Sequence, residues 1–145
     1  MQVLVTGALG RVGTAFINLA TGDYNFRYLD RGENPGLDVI DVDVGDYEGF
    51  RDAASSVDAI VHLAAASRKE SPWLAVLESN IIGGYNCFEI ARQAEIEQVV
   101  LASSNRVVGM YEPDHAPELY ELDYDLLLAD QSPVRPDSYY ATSKA

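Results

Sequence analysis

The sequence has one cysteine, Cys87, among 145 residues. This excludes a disulfide framework and a zinc site built from several cysteines. No apolar run approaches the ~20 residues of a transmembrane helix, and the N-terminus lacks the basic and apolar regions of a secretory signal. These absences predict a cytoplasmic protein with no membrane partner. Hydrophobic residues still make up 48% of the chain, enough for the core of a single domain over residues 1–145.

Lysine is also scarce. Lys69 and Lys144 are the only lysines beside eight arginines, and 23 acidic residues give a net charge of −13. A field of this sign repels nucleic acid and anionic membranes, so neither is expected as a partner. An acidic, lysine-poor composition favours a protein of concentrated salt, where the Debye length is only ~3 Å at 1 M. The alternative is an ordinary acidic protein.

Strand and helix patterns alternate along the chain. Short β-rich runs predict strands at residues 2–6, 26–29, 38–43, 59–63 and 98–103. Apolar spacing and capping residues predict helices over residues 11–21, 46–55 and 71–94, the last with Ser71 as its cap and Pro72 at its first position. This order predicts an α/β fold with a doubly wound parallel sheet.

Two segments depart from this alternation. Residues 110–136 hold four of the six prolines and many carboxylates, which predicts a long loop with a short turn at residues 126–128. Asp137-Ser138 then predicts a helix start only a few residues before Ala145. We expect the chain to be the N-terminal part of a longer polypeptide, with the substrate-covering part absent.

Three glycines follow the first predicted strand and open the first predicted helix. In such a turn they permit the tight bend, the close approach of a pyrophosphate and the packing of helix on strand. The phosphates then meet the positive end of the helix. Asp30 ends the second strand 17 residues after Gly13, where a carboxylate binds ribose hydroxyls. Asp30 therefore favours NAD over NADP, although Arg31 beside it weakens that preference.

Tyr140 and Lys144 lie four residues apart, on one face of the predicted helix. A lysine ammonium beside a phenol favours the phenolate, which makes Tyr140 a candidate base. Tyr139 is one residue out of register. Ser103 and Ser104 close the fifth strand at the sheet edge where ligands bind, and a hydroxyl there can bond a substrate oxygen. Ser103 is interpreted as a turn or capping residue.

The G-x-x-G-x-x-G spacing and the Tyr/Lys pair resemble those of the extended short-chain dehydrogenase/reductases, which have a Rossmann fold. In that family the catalytic serine lies five residues before a glycine matched here by Gly109, which selects Ser104. The resemblance implies the catalytic set Ser104, Tyr140 and Lys144 and a homodimer through the long helix and the Tyr/Lys helix. No metal ion is expected, because the histidine and carboxylates of residues 112–125 do not have the spacing of metal ligands. The implied NAD-binding residues are Gly7, Leu9, Gly10, Arg11, Val12, Gly13, Asp30, Arg31, Asp43, Val44, Leu63, Ala64, Ala65, Asn80, Tyr140 and Lys144.

Residues 62–67, 80–86 and 103–105 look most similar to uronate dehydrogenases, which oxidise C1 of a hexuronic acid to a lactone with NAD. The match places Ser67, Ser104, Asn105 and Tyr140 at the substrate. Those enzymes have histidine where this chain has Arg106, a better bidentate partner for a carboxylate or phosphate. The chain also resembles the NAD-dependent glucose-6-phosphate dehydrogenases of halophilic archaea. We therefore expect a sugar substrate, with glucose 6-phosphate ahead of a hexuronate. Whether Arg68 and Lys69 face the pocket or solvent stays open.

Two other functions remain possible. A sugar-nucleotide epimerase or dehydratase shares the fold, the cofactor and the Tyr/Lys pair, but Asn105-Arg106 after Ser104 argues against a dehydratase. A non-catalytic dinucleotide-sensing module would keep the glycine turn, although such relatives lose the Tyr/Lys pair. Two further residues have plain structural interpretations: His62 lies in an apolar strand, and Cys87 is expected to be a small core residue.

Overall fold

A computed structural model describes residues 1–145 apart from 21, 23, 122, 124–127 and 129–130. Five parallel strands form one sheet in the order β3-β2-β1-β4-β5. The strands are β1 (Gln2–Thr6), β2 (Asn25–Asp30), β3 (Val39–Asp41), β4 (Ala59–His62) and β5 (Gln98–Leu101). The predicted α/β class and doubly wound parallel sheet are confirmed.

The helices connect these strands and follow them. They are α1 (Arg11–Leu19), α2 (Tyr47–Ala53), α3 (Trp73–Val76), a π-helical segment (Leu77–Ile82), α4 (Gly83–Gln93), a 3-10 helix (Asn105–Val108), α5 (Tyr111–His115), a second 3-10 helix (Glu118–Tyr120) and α6 (Tyr139–Thr142). Residues 73–93 run without a break and are called the long helix below. None of the described helices is long and apolar enough to cross a membrane.

The hydrophobic core has two parts, one on each face of the sheet. Successive side chains of a strand point to opposite faces, so Leu4 of β1 joins one cluster while Val3 and Val5 join the other. The Leu4 cluster includes Phe50 of α2 and Ile90 of α4. The other cluster packs against Phe16 of α1. Cys87 is fully buried in the first cluster, which confirms its interpretation as a core residue.

The long helix differs from its prediction at its start. It begins at Trp73 with Pro72 at the N-cap position and no side-chain capping bond, so the prediction of Ser71 as the cap was wrong. The Ser71 hydroxyl instead accepts a hydrogen bond from the backbone N–H of Arg68, at 3.2 Å. The Ser71 hydroxyl oxygen is therefore bonded within the loop before the helix and does not cap the helix.

The proline-rich segment 110–136 is more regular than predicted. It contains α5 and the 3-10 helix Glu118–Tyr120. The backbone N–H of Arg135 donates to the carbonyl of Val107, and that of Met110 donates to the carbonyl of Arg135. The segment is thus tied back to the residues after β5. Of the predicted turn at 126–128, Leu126 and Leu127 lie outside the described residues.

Candidate active site

A cavity of about 890 Å³ opens at the carboxyl edge of the sheet. Its walls come from the ends of the five strands and the segments that follow them, from Ser79 of the π-helical segment, from Tyr140 of α6 and from Lys144 just after α6. In parallel sheets this edge is where ligands bind. The structure brings every predicted cofactor and substrate residue except Asn80 to the wall of this one cavity. Their roles stay predictions.

The glycine-rich turn forms one end of the cavity and leaves no space for a side chain at Gly7 or Gly13. Gly7 has φ +70°, and a Cβ there would lie 2.5 Å from the backbone nitrogen of Ala64. A Cβ on Gly13 would lie 2.2 Å from the carbonyl oxygen of Gly7. Real Cβ atoms do not approach backbone this closely, so both positions require glycine. The turn therefore presents bare backbone and the N-terminus of α1 to the cavity.

Asp30 is anchored beside this turn. One carboxylate oxygen accepts the backbone N–H of Leu9 and the other that of Arg31, both at 2.7 Å. Because an ionised carboxylate has about four acceptor sites, Asp30 retains capacity for further donors. The Arg31 guanidinium lies 3.4 Å from the carboxylate of Asp43, in an exposed pair. Asp43 also accepts the backbone N–H of Gly45 at 2.8 Å.

Ser104 and Ser103 have different roles after β5. Ser104 is the N-cap of the 3-10 helix, and its hydroxyl accepts the backbone N–H of Arg106 at 3.2 Å. Capping therefore belongs to Ser104, not to Ser103 as predicted. The Ser103 hydroxyl donates to the backbone carbonyl of Lys144 at 2.8 Å. This bond ties the end of β5 to the segment that carries Tyr140 and Lys144.

Tyr140 and Lys144 both line the cavity. Ser138 caps α6 by accepting the N–H of Ala141 at 3.1 Å, which confirms the predicted helix start. Lys144 is only 9% exposed, and burial lowers the pKa of its ammonium because the charged form loses hydration. Tyr139 points elsewhere: it is exposed, and its ring lies 5.6 Å from that of Trp73.

Asn80 acts from behind the cavity wall. It is buried in the π-helical segment, and its side-chain oxygen accepts the N–H of Ala66 at 2.7 Å. Its side-chain nitrogen donates to the hydroxyl of Ser143 at 2.8 Å. Asn80 thus joins the loop after β4 to the Tyr140/Lys144 segment. π-helical turns are rare and occur frequently at functional sites.

Arg106 and Lys69 both bind Asp137, a carboxylate that was not predicted to belong to the site. Asp137 binds the Arg106 guanidinium at 2.6 Å and the Lys69 ammonium at 3.3 Å, and its side chain is only 4% exposed. Arg106 lines the cavity, whereas Arg68 and Lys69 do not. Asp137 was interpreted only as part of a helix start. The only sequence signal for the cluster of Asp137, Arg106 and Lys69 was that cations are scarce in so acidic a chain.

His62 ends β4 and directly precedes Leu63, which lines the cavity. It is buried, its Nδ1 lies 2.8 Å from the hydroxyl oxygen of Thr6, and its ring stacks on Phe50. Burial, together with the positive charge of Lys144, lowers the pKa of His62 to about 4. A neutral, hydrogen-bonded histidine of this kind confirms the structural interpretation.

Comparison with known proteins assigns the chain to a family. The model of the NAD-dependent epimerase/dehydratase family matches residues 3–145. The chain belongs to this family. The resemblance noted in the sequence is thereby confirmed, and NAD as the predicted cofactor agrees with the family's NAD dependence.

Similar members of the epimerase/dehydratase family include sugar dehydrogenases. The L-arabinose 1-dehydrogenase (NAD(P)(+)) of Haloferax volcanii is 37% identical over 145 residues, which are 99% of this chain and 57% of that protein. The NAD-dependent glucose-6-phosphate dehydrogenase of Haloferax volcanii is 37% identical over 153 residues, covering 99% and 58%. The structure of a mutated uronate dehydrogenase matches with a TM-score of 0.84 at 32% identity, covering 99% and 50%. The chain thus spans about half the length of these relatives.

Proposed function

We propose that the protein oxidises C1 of an aldose to the lactone with NAD. One observation carries this proposal: Ser104, Tyr140 and Lys144 line the same cavity as the glycine-rich turn and Asp30. A proton acceptor, a hydroxyl donor and a dinucleotide cradle are the groups that alcohol oxidation by hydride transfer needs. The sugar dehydrogenases among the relatives support this reaction.

NAD fits the glycine-rich end of the cavity. The first N–H groups of α1 have no partner within the helix, and they suit a pyrophosphate that approaches the bare backbone of Gly7 and Gly13. We assign the ribose hydroxyls to Asp30, which keeps acceptor capacity beside its two backbone bonds. When bound, NAD accepts the hydride that leaves the substrate carbon.

Side chains of this protein remove the proton from the C1 hydroxyl of the sugar. Tyr140, as phenolate, takes the proton of the C1 hydroxyl. Ser104 donates a hydrogen bond to the same oxygen. Lys144 stabilises the phenolate and holds the nicotinamide ribose, and the Ser103 bond to the Lys144 carbonyl fixes the backbone on which this lysine sits. The chain therefore supplies orientation and charge placement.

We propose glucose 6-phosphate as the favoured substrate, with a hexuronate close behind. Ser67, Asn105 and Arg106 line the cavity and are assigned to the sugar. Asp137 binds both Arg106 and Lys69, and Glu112 and Glu70 also act electrostatically on the Arg106 guanidinium. Only one Arg106 nitrogen is bonded to Asp137, which leaves N–H donors at the cavity for an anionic group on the sugar.

A substrate panel tests the proposal. The whole protein is assayed with NAD and, in turn, glucose 6-phosphate, glucuronate and L-arabinose, at low salt and in concentrated salt. We expect NADH to accumulate with at least one of the two anionic sugars. No turnover of either would overturn the substrate assignment, and no turnover of any aldose would overturn the dehydrogenase proposal. Higher activity in concentrated salt would support the prediction from the acidic composition.

The family also contains epimerases, and the same assay separates that alternative. A sugar-nucleotide epimerase keeps its NAD bound and returns the hydride, so free NADH does not accumulate during turnover. NAD binding without any turnover would favour a non-catalytic sensing module.

Assembly and location are further proposals. We propose a cytoplasmic homodimer that forms through the long helix and α6. Exposed apolar side chains on these elements support the interface, among them Trp73, Leu74, Tyr85, Phe88 and Tyr139. A monomeric mass by light scattering in concentrated salt would contradict the dimer.

A further inference from the structure

Asp137 joins three chain segments beside the cavity. Its carboxylate binds Arg106 after β5 and Lys69 after β4, and it accepts the hydroxyl of Ser138 at 3.0 Å. Its side chain is only 4% exposed, so these bonds replace its hydration. A buried carboxylate holding two cations from distant segments fixes their relative positions more firmly than an exposed ion pair does.

The segments that Asp137 joins are those that carry the proposed catalytic groups. Arg106 lies two residues after Ser104 and donates its backbone N–H to the Ser104 hydroxyl at 3.2 Å. Asp137 precedes Ser138, the N-cap of the helix that carries Tyr140. The Arg106–Asp137 bond therefore connects Ser104, two residues before Arg106, to Tyr140, three residues after Asp137.

Close packing holds the carboxylate in place. A Cβ on Gly109 would lie 2.6 Å from Cγ of Asp137 and 2.7 Å from one of its carboxylate oxygens. Burial alone raises the pKa of Asp137, but its bonds to Arg106, Ser138 and Lys69 outweigh burial and lower that pKa overall. The carboxylate is therefore ionised near neutral pH and has little room to move.

We propose that Asp137 is a positioning residue, which sets Ser104 against Tyr140 by holding Arg106 at the start of α6; Lys144 follows this helix in a turn. This proposal rests on the proposed dehydrogenase function. Asp137 does not line the cavity that holds Ser104 and Tyr140. Its effect is on orientation, and small misplacements of catalytic groups are costly: a shift of about 1 Å costs about a hundredfold in rate.

The test is Asp137→Asn in the whole protein, which keeps the shape and removes the charge. Stoichiometric NAD titration counts the folded sites, and kcat is expressed per NAD-binding site. We expect kcat per site to fall by about tenfold or more, with NAD affinity within about twofold of the wild type. A merely structural role would reduce the number of sites and leave kcat per site unchanged. The matched control is Asp52→Asn, which removes an exposed carboxylate paired with Arg51 and should leave both values unchanged.

A double-mutant cycle tests the route through Arg106. We expect Asp137→Asn to change kcat by less than about threefold when Arg106→Gln is already present. The full effect of Asp137→Asn in that background would overturn the proposed route. If Asp137→Asn does not fold, Gly109→Ala gives the same test. It retains the charges of Asp137 and Arg106, but its Cβ displaces the Asp137 carboxylate. Gly84→Ala, whose Cβ meets nothing within 4 Å, is its control.

The outcomes separate the two proposals. If the wild type does not reduce NAD with any of the aldoses tested, the dehydrogenase proposal is overturned, and the positioning role is overturned with it. If the wild type is active and Asp137→Asn keeps kcat per site within about threefold, only the positioning role is overturned.

Discussion

The buried His62 makes the stability of the protein dependent on pH in the acid range. Its pKa is about 4 in the folded protein, against 6.5 for an exposed histidine, chiefly because burial penalises the imidazolium and secondarily because Lys144 is positive. Between these values the unfolded chain binds a proton that the folded chain does not. The free energy of unfolding therefore falls as the pH falls through this window, by about 3 kcal/mol from this residue alone.

Urea unfolding of the wild type and of His62→Gln, at several pH values between 7 and 4, isolates this contribution. Carboxylates titrate in both proteins and cancel in the difference. Since glutamine does not titrate, the stability of the wild type relative to His62→Gln should fall by about 3 kcal/mol across the range. His62→Asn serves as a second comparison. It will differ from His62→Gln in absolute stability because it packs differently, but its difference curve should have the same shape.

A difference that stays constant from pH 7 to pH 4 would refute the reasoning. It would mean that His62 takes up its proton equally well in the folded and unfolded chains. The Thr6 hydroxyl and the stacked Phe50 would then not keep the ring neutral, and burial would not determine its charge.

Three further outcomes are expected. Tyr140→Phe should lower kcat by about 10²- to 10⁴-fold and leave NAD binding nearly intact; stopped-flow turnover and calorimetric titration measure the two, and a kcat near that of the wild type would exclude Tyr140 as the base. Gly13→Ala should weaken NAD binding by at least about tenfold, because its Cβ collides with backbone in the cradle, whereas Gly84→Ala should bind NAD normally. Asn80→Ala should lower the free energy of unfolding in urea by about 2 kcal/mol, because it leaves the half-buried N–H of Ala66 without an acceptor and removes the bond to the Ser143 hydroxyl, which then keeps only its bond to the Tyr140 carbonyl; an unchanged midpoint and slope would contradict this.

Local sequence patterns were sufficient to predict the sheet and the glycine-rich end of the cavity. Parallel strands that are buried on both faces have continuous apolar runs, and the run at Ala59–His62 is of this kind. Gly7 and Gly13 were predictable because this strand-turn-helix unit requires glycine at both positions. Gly7 packs against the backbone of Ala64, and Gly13 packs against the backbone of Gly7. Asp30 followed from its fixed distance along the chain.

Interactions between residues far apart in the sequence were harder to predict. Asp137 meets Arg106 across 31 residues, and Asn80 meets Ser143 across 63. No local pattern predicts which carboxylate will be buried against which cation, because that depends on how the loops after β4 and β5 converge. Asn80 was found only through a family resemblance, and Asp137 was not found. The misplaced helix start has a different, local cause: the Ser71 hydroxyl accepts the N–H of Arg68, three residues earlier, and is not left free to cap.

The π-helical segment also changes the phase of the long helix. A π turn takes in one more residue than an α turn, which rotates every later side chain by about 100° relative to an uninterrupted α-helix. Asn80 can therefore turn toward Ala66 and Ser143 while Cys87 and Ile90 still pack on the sheet. Deleting one residue between 77 and 82 would restore an ordinary helix and carry one of these two faces away from its partners. A gap of one residue in this segment, in an alignment of two otherwise similar chains, would mark a change in the geometry of the active site and not a neutral difference in length.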